Sequence, residues 1–207
     1  MKVYLIIGRN IDLKSFPFEK DSIKIGIDRG AFLAIENGIT LDYAIGDFDS
    51  CSEEEKEQIS LHVPNVLSLN PIKDDTDTKH AYSMFKEKKD IKYILLGSIE
   101  GKRIEHFYAN LELVMKDERV SMLDDSSLIF MTKKPFKISD TSYKFYSFFP
   151  IDETAKISLE GFKYDLNEET IYKGEGLTIS NEIKTTGALV NIHSGSLLCI
   201  FSKNDNR

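Results

Sequence analysis

"LDYAIGDFDS", residues 41–50, alternates apolar and other side chains, stops at a glycine, and then gives two carboxylates, Asp47 and Asp49. The alternation predicts a strand over 41–45. Two acids at the end of a strand belong either to a solvated turn, where aspartate is favoured, or to one half of a metal site. The flanking sequence bears on the choice.

Upstream, "KVYLIIG" (2–8) and "SIKIGI" (22–27) read as strands, and "GAFLAIENG" (30–38) as a short helix closed by a glycine. Downstream, Ser52 and Glu55 form a capping box that predicts a helix start. "NVLSL" (65–69) is strand-like, "DTKHAYSMFKEK" (77–88) carries Ala81, Met84 and Phe85 at helical spacing, and "IKYILLG" (91–97) is a strongly apolar strand. Ile104, Phe107, Tyr108, Leu111, Val114 and Met115 form the apolar stripe of a helix over 104–117, and "RVSML" (119–123) is one more strand. Strands alternating with helices predict an α/β domain with a mainly parallel sheet. In such sheets ligands sit beyond the carboxyl ends of the strands, where Asp47 and Asp49 fall.

After residue 125 the helical patterns vanish. "LIFMT", "YKFYSFF", "AKISLEGFKY", "GLTISN", "GALVNI" and "SLLCIFS" are short and β-rich, divided by Pro135, Pro150, Gly161, Gly174, Gly176, Gly187 and Gly195. That spacing predicts an antiparallel sandwich or barrel. The expected division is 1–124, an α/β domain, and 125–207, a β domain.

The net charge of −7 argues against a nucleic-acid partner, which needs a basic face. No apolar run is long enough for a membrane span, and Val3–Ile7 is too short for the core of a signal peptide. Two cysteines, Cys51 and Cys199, build neither a disulfide framework nor a zinc site, so a reduced, cytoplasmic protein is expected.

Acids recur after the strands: Asp28, then Asp47 and Asp49, then Asp74, Asp75 and Asp77 in "PIKDDTDTKH". Residues two apart in an extended stretch point the same way, so Asp47 and Asp49 are expected to face one ion. Taken singly, an aspartate is more often a turn or cap residue, and Asp75 reads as a cap for the helix that follows. Three such loops on one sheet edge favour a site. Converging carboxylates need a hard cation, and Mg²⁺ takes a few of them together with water and phosphate. No histidine pair stands at zinc-ligand spacing nearby. The loop 97–101 leads from a strand into a helix, where backbone N–H groups suit a phosphate, with Lys102, Arg103 and His106 beside it. The residues alone thus point to nucleotide-dependent phosphoryl or pyrophosphoryl transfer, with no substrate named.

In order, "GIDRGA" (26–31), "AIGDFDS" (44–50), "KDDTDTKHA" (73–81), "GKRIEHFYANLEL" (101–113), "GFKYDL" (161–166), "LTISNE" (177–182) and "GSLLCIFS" (195–202) resemble the motifs of the thiamine pyrophosphokinase family. The resemblance spans nearly the whole chain, and "GDFDS" followed by "DDTD" is its sharpest part. It implies ATP + thiamine → AMP + thiamine diphosphate, catalysed with Mg²⁺. It also implies a three-layer α/β domain that binds ATP and metal, a C-terminal antiparallel β-sandwich that binds thiamine, and a homodimer with active sites at the subunit interface.

By the same resemblance, Asp47, Asp49 and Asp77 are expected as catalytic, metal-binding carboxylates, with Asp28 in or beside the metal shell. Arg29, Lys73, Thr76, Arg103 and His106 are expected at ATP, Arg103 also with a catalytic role. Glu105, Tyr164, Ser180 and Asn181 are expected at thiamine. Ordinary strand packing is the alternative for Tyr164. The family usually has Gly-x-Arg-x-Asp-His where this chain reads "GKRIEH", so Glu105 replaces an aspartate and reaches one methylene further. Other readings of the same residues are a pyrophosphokinase acting on another alcohol, such as a hydroxymethylpterin, a thiamine or nucleotide sensor without turnover, and a metal-dependent phosphatase.

Overall fold

The structure, a computed structural model, describes residues 1–70, 75–99, 103–185 and 187–203. The chain divides into two compact units, Met1–Leu113 with Arg119–Asp125, and Val114–Glu118 with Ser126–Arg207. Among the described residues no helix is long and apolar enough to cross a membrane.

The first unit holds β1 (Lys2–Ile6), β2 (Ile23–Ile27), α1 (Arg29–Glu36), β3 (Tyr43–Gly46), α2 (Glu53–His62), β4 (Val66–Ser68), α3 (Asp77–Ser83), β5 (Lys92–Leu96) and β6 (Val120–Leu123), and α4 (Ile104–Lys116) begins in it. Its strands lie in the order β4-β3-β2-β1-β5-β6, and every neighbouring pair is parallel. Side chains of adjacent strand residues go to opposite faces, and the register sorts them. Ile6, Ala44 and Leu96 join Ala31, Ala34 of α1 and Ile59 of α2 in one core cluster. Tyr43 and Tyr93, on the opposite face, meet Phe85 and Tyr82 with ring centroids 6.1 and 4.9 Å apart. Helical segments therefore cover both faces of the parallel sheet.

The strand order reverses at β1. The chain steps outward through β2, β3 and β4, then returns to place β5 on the other side of β1. Past this switch Gly8 and Gly97 lie backbone to backbone. A Cβ on Gly8 would stand 2.1 Å from the Gly97 carbonyl oxygen, and one on Gly97 would stand 2.4 Å from that of Gly8. Gly97 also has φ 69°, a conformation that glycine adopts without strain.

The second unit is all β apart from its short share of α4. Strands β7 (Ser127–Thr132), β13 (Leu197–Ser202) and β9 (Phe145–Pro150) pair antiparallel. So do β11 (Leu166–Tyr172), β10 (Thr154–Glu160), β12 (Ala188–Ser194) and β8 (Phe136–Ile138). Tyr146, Phe148, Cys199 and Phe201 from the first set share a core with Ile157, Leu159, Ala188 and Val190 from the second, which makes a sandwich. Phe148 and Phe162 meet edge to face, centroids 5.8 Å apart.

Some local expectations change. The third helix ends at Ser83, and Met84 and Phe85 lie beyond it. "GLTISN" is a turn and not a strand. Asn181 pairs with Tyr146 through two backbone hydrogen bonds, 2.8 and 3.0 Å, while Phe148 N–H donates to the Thr178 carbonyl at 3.3 Å, and Ser180 between them has φ 56°. β8 and β11 carry no alternation clear enough to have been singled out. In α4, Ile104 and Tyr108 of the expected apolar stripe stay 69% and 57% exposed.

Gly8→Ala is expected to force the ends of β1 and β5 apart at the cost of about 2 kcal/mol of stability. Urea denaturation checks this, and an unchanged midpoint would refute the contact.

Candidate active site

A cavity of about 360 Å³ opens at the carboxyl ends of β1, β2 and β5, beside the Gly8–Gly97 contact. Ile7 and Gly8, Ile27 to Arg29, Asp49 and Ser50, Thr76 to Thr78, and Gly97 and Ser98 line it. Arg103, His106, Phe107 and Asn110 from the start of α4 complete the lining. This is the crevice at a topological switch point, the usual ligand position of an open parallel sheet.

Asp28 sits at the bend from β2 into α1. It precedes α1 with φ 48° and ψ −127°, and its side chain does not cap the helix. Its N–H donates to Ile45 O at 2.9 Å, and Oδ1 lies 3.4 Å from the Phe48 N–H. The carboxylate is therefore turned toward the β3 loop. Gly46 makes room for it, because a Cβ there would lie 1.8 Å from Asp28 Oδ1. Positive φ at a non-glycine residue carries strain, and such strain gathers at functional sites.

Asp47 and Asp49 do not share an extended stretch. Phe48 between them has φ 55° and is buried, so the backbone bends between the two acids. Asp49 faces the cavity. Asp47 is outside its lining, and its Oδ1 accepts the Asp49 N–H at 3.1 Å. Asp77 and Thr76 line the cavity too. Thr76, not Asp75, caps α3, its hydroxyl accepting the Lys79 N–H at 3.2 Å, while Asp75 pairs with Lys79. A threonine hydroxyl reaches the first turn, which frees the preceding acid for an i, i+4 ion pair.

Arg29, Arg103 and His106 also line the cavity. Glu105 does not. Its Oε1 accepts Nε of Arg103 at 2.8 Å, and this hydrogen bond, ahead of other causes, holds its carboxyl below the usual range. Lys73 and Asp74 lie outside the described residues, as do Glu100, Gly101 and Lys102. Ser50, Ser98 and Asn110 were not anticipated. Asn110 and Ser98 are buried polar residues, 5% and 6% exposed. A polar residue at helical spacing from Phe107 within the stripe was the available signal for Asn110.

The carboxylates suit a hard cation, since the donors along the cavity are oxygens with one histidine and no sulfur. Among the described residues no group of three or more His, Cys, Asp and Glu is placed to hold an ion by itself. Mg²⁺ asks for less, because it binds through one or two carboxylates and completes its shell with water and phosphate.

Two profiles match the chain, described as "Thiamin pyrophosphokinase, catalytic domain" over residues 17–123 and "Thiamin pyrophosphokinase, vitamin B1 binding domain" over 135–198. The chain belongs to the thiamine pyrophosphokinase family. It is 32% identical over 192 residues to the thiamine pyrophosphokinase of Bacillus subtilis, covering 89% of each chain. The crystal structure of the enzyme from that organism superposes with a TM-score of 0.89 at 29% identity, over 99% of this chain and 100% of the other. The thiamin pyrophosphokinase of Geobacillus thermodenitrificans gives 0.88 at 27%, over 100% and 99%. The yeast enzyme, at 14% identity and TM-score 0.73, shares the fold.

In the β unit, the residues that the family resemblance singles out are close neighbours. Asn181 is buried, and its side chain grips the loop carrying Tyr164. Oδ1 accepts Tyr164 N–H at 3.1 Å and Glu182 N–H at 2.9 Å, and Nδ2 donates to Tyr164 O at 2.8 Å. Tyr164 is 60% exposed, so core packing does not account for it. Ser180 is exposed, and its N–H donates to Ser147 Oγ at 3.0 Å.

Cys51 ends the β3 loop, 7% exposed, and burial, then the nearby Glu55 and Asp28 carboxylates, push its thiol up. Burial does the same to Cys199. Both thiols are thus expected to stay protonated at pH 8 and to react with a disulfide reagent about 10-fold or more slowly in the native state than in urea. Rapid native labelling of either would contradict their burial.

Proposed function

We infer that the protein makes thiamine diphosphate and AMP from ATP and thiamine, the first unit binding ATP and Mg²⁺ and the second binding thiamine. The observation that carries this reading is the mixed lining of one crevice: Asp28, Asp49 and Asp77 together with Arg29, Arg103 and His106. Acids without cations would repel a triphosphate, and cations without acids would leave no place for its metal.

Asp28, Asp49 and Asp77, with Asp47 behind Asp49, would hold Mg²⁺, which when bound neutralises phosphate charge. Arg29, Arg103 and His106 bind the phosphate oxygens, with Lys73 from the same motif. Thr76 fixes the loop by capping α3. The primary hydroxyl of thiamine forms a bond to the β-phosphorus of ATP. The bond from that phosphorus to the α–β bridging oxygen breaks, and AMP leaves with the oxygen. A cavity carboxylate takes the hydroxyl proton. Most of the acceleration comes from positioning and fixed charge.

Ser180, Asn181 and Tyr164 are assigned to thiamine, Asn181 acting by holding the Tyr164 loop, with Glu105 also on the thiamine side. The positive thiazolium favours an acidic cleft. A homodimer with active sites at the subunit interface fits the exposed apolar side chains of Tyr164, Leu177 and Ile179, 60%, 59% and 51% exposed. The two buried, free thiols fit a reducing, cytoplasmic setting.

Incubation with ATP, Mg²⁺ and thiamine is expected to yield thiamine diphosphate and AMP in equal amounts, and EDTA should abolish both. Inorganic phosphate with no thiamine diphosphate would replace this reading with a phosphatase. Asp49→Asn is expected to lower turnover on the order of 10²-fold or more through loss of charge at the metal. A near wild-type rate at limiting Mg²⁺ would remove Asp49 from the site.

A further inference from the structure

Glu55 lies outside the cavity, in the first turn of α2, and no role above uses it. Its two oxygens serve two neighbours. Oε2 accepts the Ser52 backbone N–H at 2.9 Å and so closes the capping box of α2. Oε1 accepts both Nε and Nη2 of Arg29, at 3.1 and 2.7 Å. Two donors on one charged oxygen fix the plane of a guanidinium as well as its position.

The pair is unequal. The Glu55 side chain is 12% exposed and that of Arg29 48%. The acid is the anchor, held from behind by a helix cap, and the arginine is the part that extends into the cavity. The Ser52 N–H first, and then Arg29, hold the Glu55 carboxyl below its usual range. Arg29 follows the strained Asp28 and shares the cavity with Asp49 and Asp77. Unanchored, a long arginine beside three acids would fold onto the nearest of them and spend its donors there. Nη1 takes no part in the contact with Glu55.

We propose that Glu55 is a positioning residue, which through its ion pair with Arg29 turns the remaining guanidinium donors toward the triphosphate of ATP. The inference rests on Arg29 binding ATP, as argued above. A purely structural Glu55 would serve α2 alone, and Ser52 supplies the control for that case, since Ser52→Ala removes the helix cap and leaves the Arg29 contact in place.

The test compares Ser52→Ala, Glu55→Ala, Arg29→Ala and the double variant Arg29→Ala/Glu55→Ala. The readouts are melting temperature, KM for ATP and for thiamine, kcat, and direct titration with α,β-methylene-ATP. Ser52→Ala and Glu55→Ala are expected to lower the melting temperature alike. Only Glu55→Ala should raise KM for ATP and the analogue Kd, by about 10-fold, leaving KM for thiamine and kcat near wild type. In the Arg29→Ala background the Glu55 change should add nothing. Glu55→Gln, whose single amide oxygen cannot serve both Ser52 and Arg29, should give a smaller shift of the same kind and serves if Glu55→Ala does not fold. A rise in Kd for Arg29→Ala but not for either Glu55 variant would overturn the positioning role and leave Arg29 at ATP. Additive effects in the double variant would overturn it as well. An unchanged Kd in Arg29→Ala would instead remove Arg29 from ATP, and Glu55 with it.

Discussion

The backbone contact between Gly8 and Gly97 is the constraint on which the first unit's site depends. The parallel sheet reverses its winding between β1 and β5, and the cavity opens at this reversal. A crevice at such a switch point keeps its floor only if the strand ends stay together underneath. With a Cβ of Gly8 falling 2.1 Å from the Gly97 carbonyl oxygen, no other residue permits that approach without movement. Arg29, Thr76, Arg103 and His106 line the cavity beside this floor.

The β2 and β3 ends meet by a second close fit. Asp28 leaves the helix it precedes uncapped and lies over Gly46. That costs backbone strain, and it sets a carboxylate between the two strand ends instead of in solvent. The buried Phe48 turns the chain so that Asp49 faces the cavity while Asp47 receives the Asp49 N–H. A pair of acids that looks equivalent in one dimension is thus divided into one that lines the cavity and one that accepts a loop N–H.

The sequence made the architecture legible because hydrophobic period and capping signals are local. The Ser52–Glu55 box, the strand at 91–97 and the break near residue 125 each rest on a few adjacent residues. The acids of the site were legible as a recurring type after strands. Their geometry was not, since the left-handed φ of Phe48 follows from tertiary packing and breaks the extended path assumed for 47–49. The turn at 177–180 was hidden for a similar reason, because "LTIS" has strand composition and is bent by bonds to distant Tyr146 and Phe148. Thr76 was anticipated at the phosphates, and it also caps α3, the role expected of Asp75. The Arg29–Glu55 pair, 26 residues apart, had no sequence signal beyond the capping box that contains one half of it.

The most direct test of the central claim is a crystal structure with α,β-methylene-ATP and Mg²⁺, because the carbon bridge blocks the bond that the reaction breaks. The triphosphate is expected in the crevice beside Gly8 and Gly97, with Asp49 and Asp77 on the metal side and Arg29 and Arg103 on the phosphate oxygens. A nucleotide bound elsewhere on the enzyme, with the crevice empty, would contradict the account.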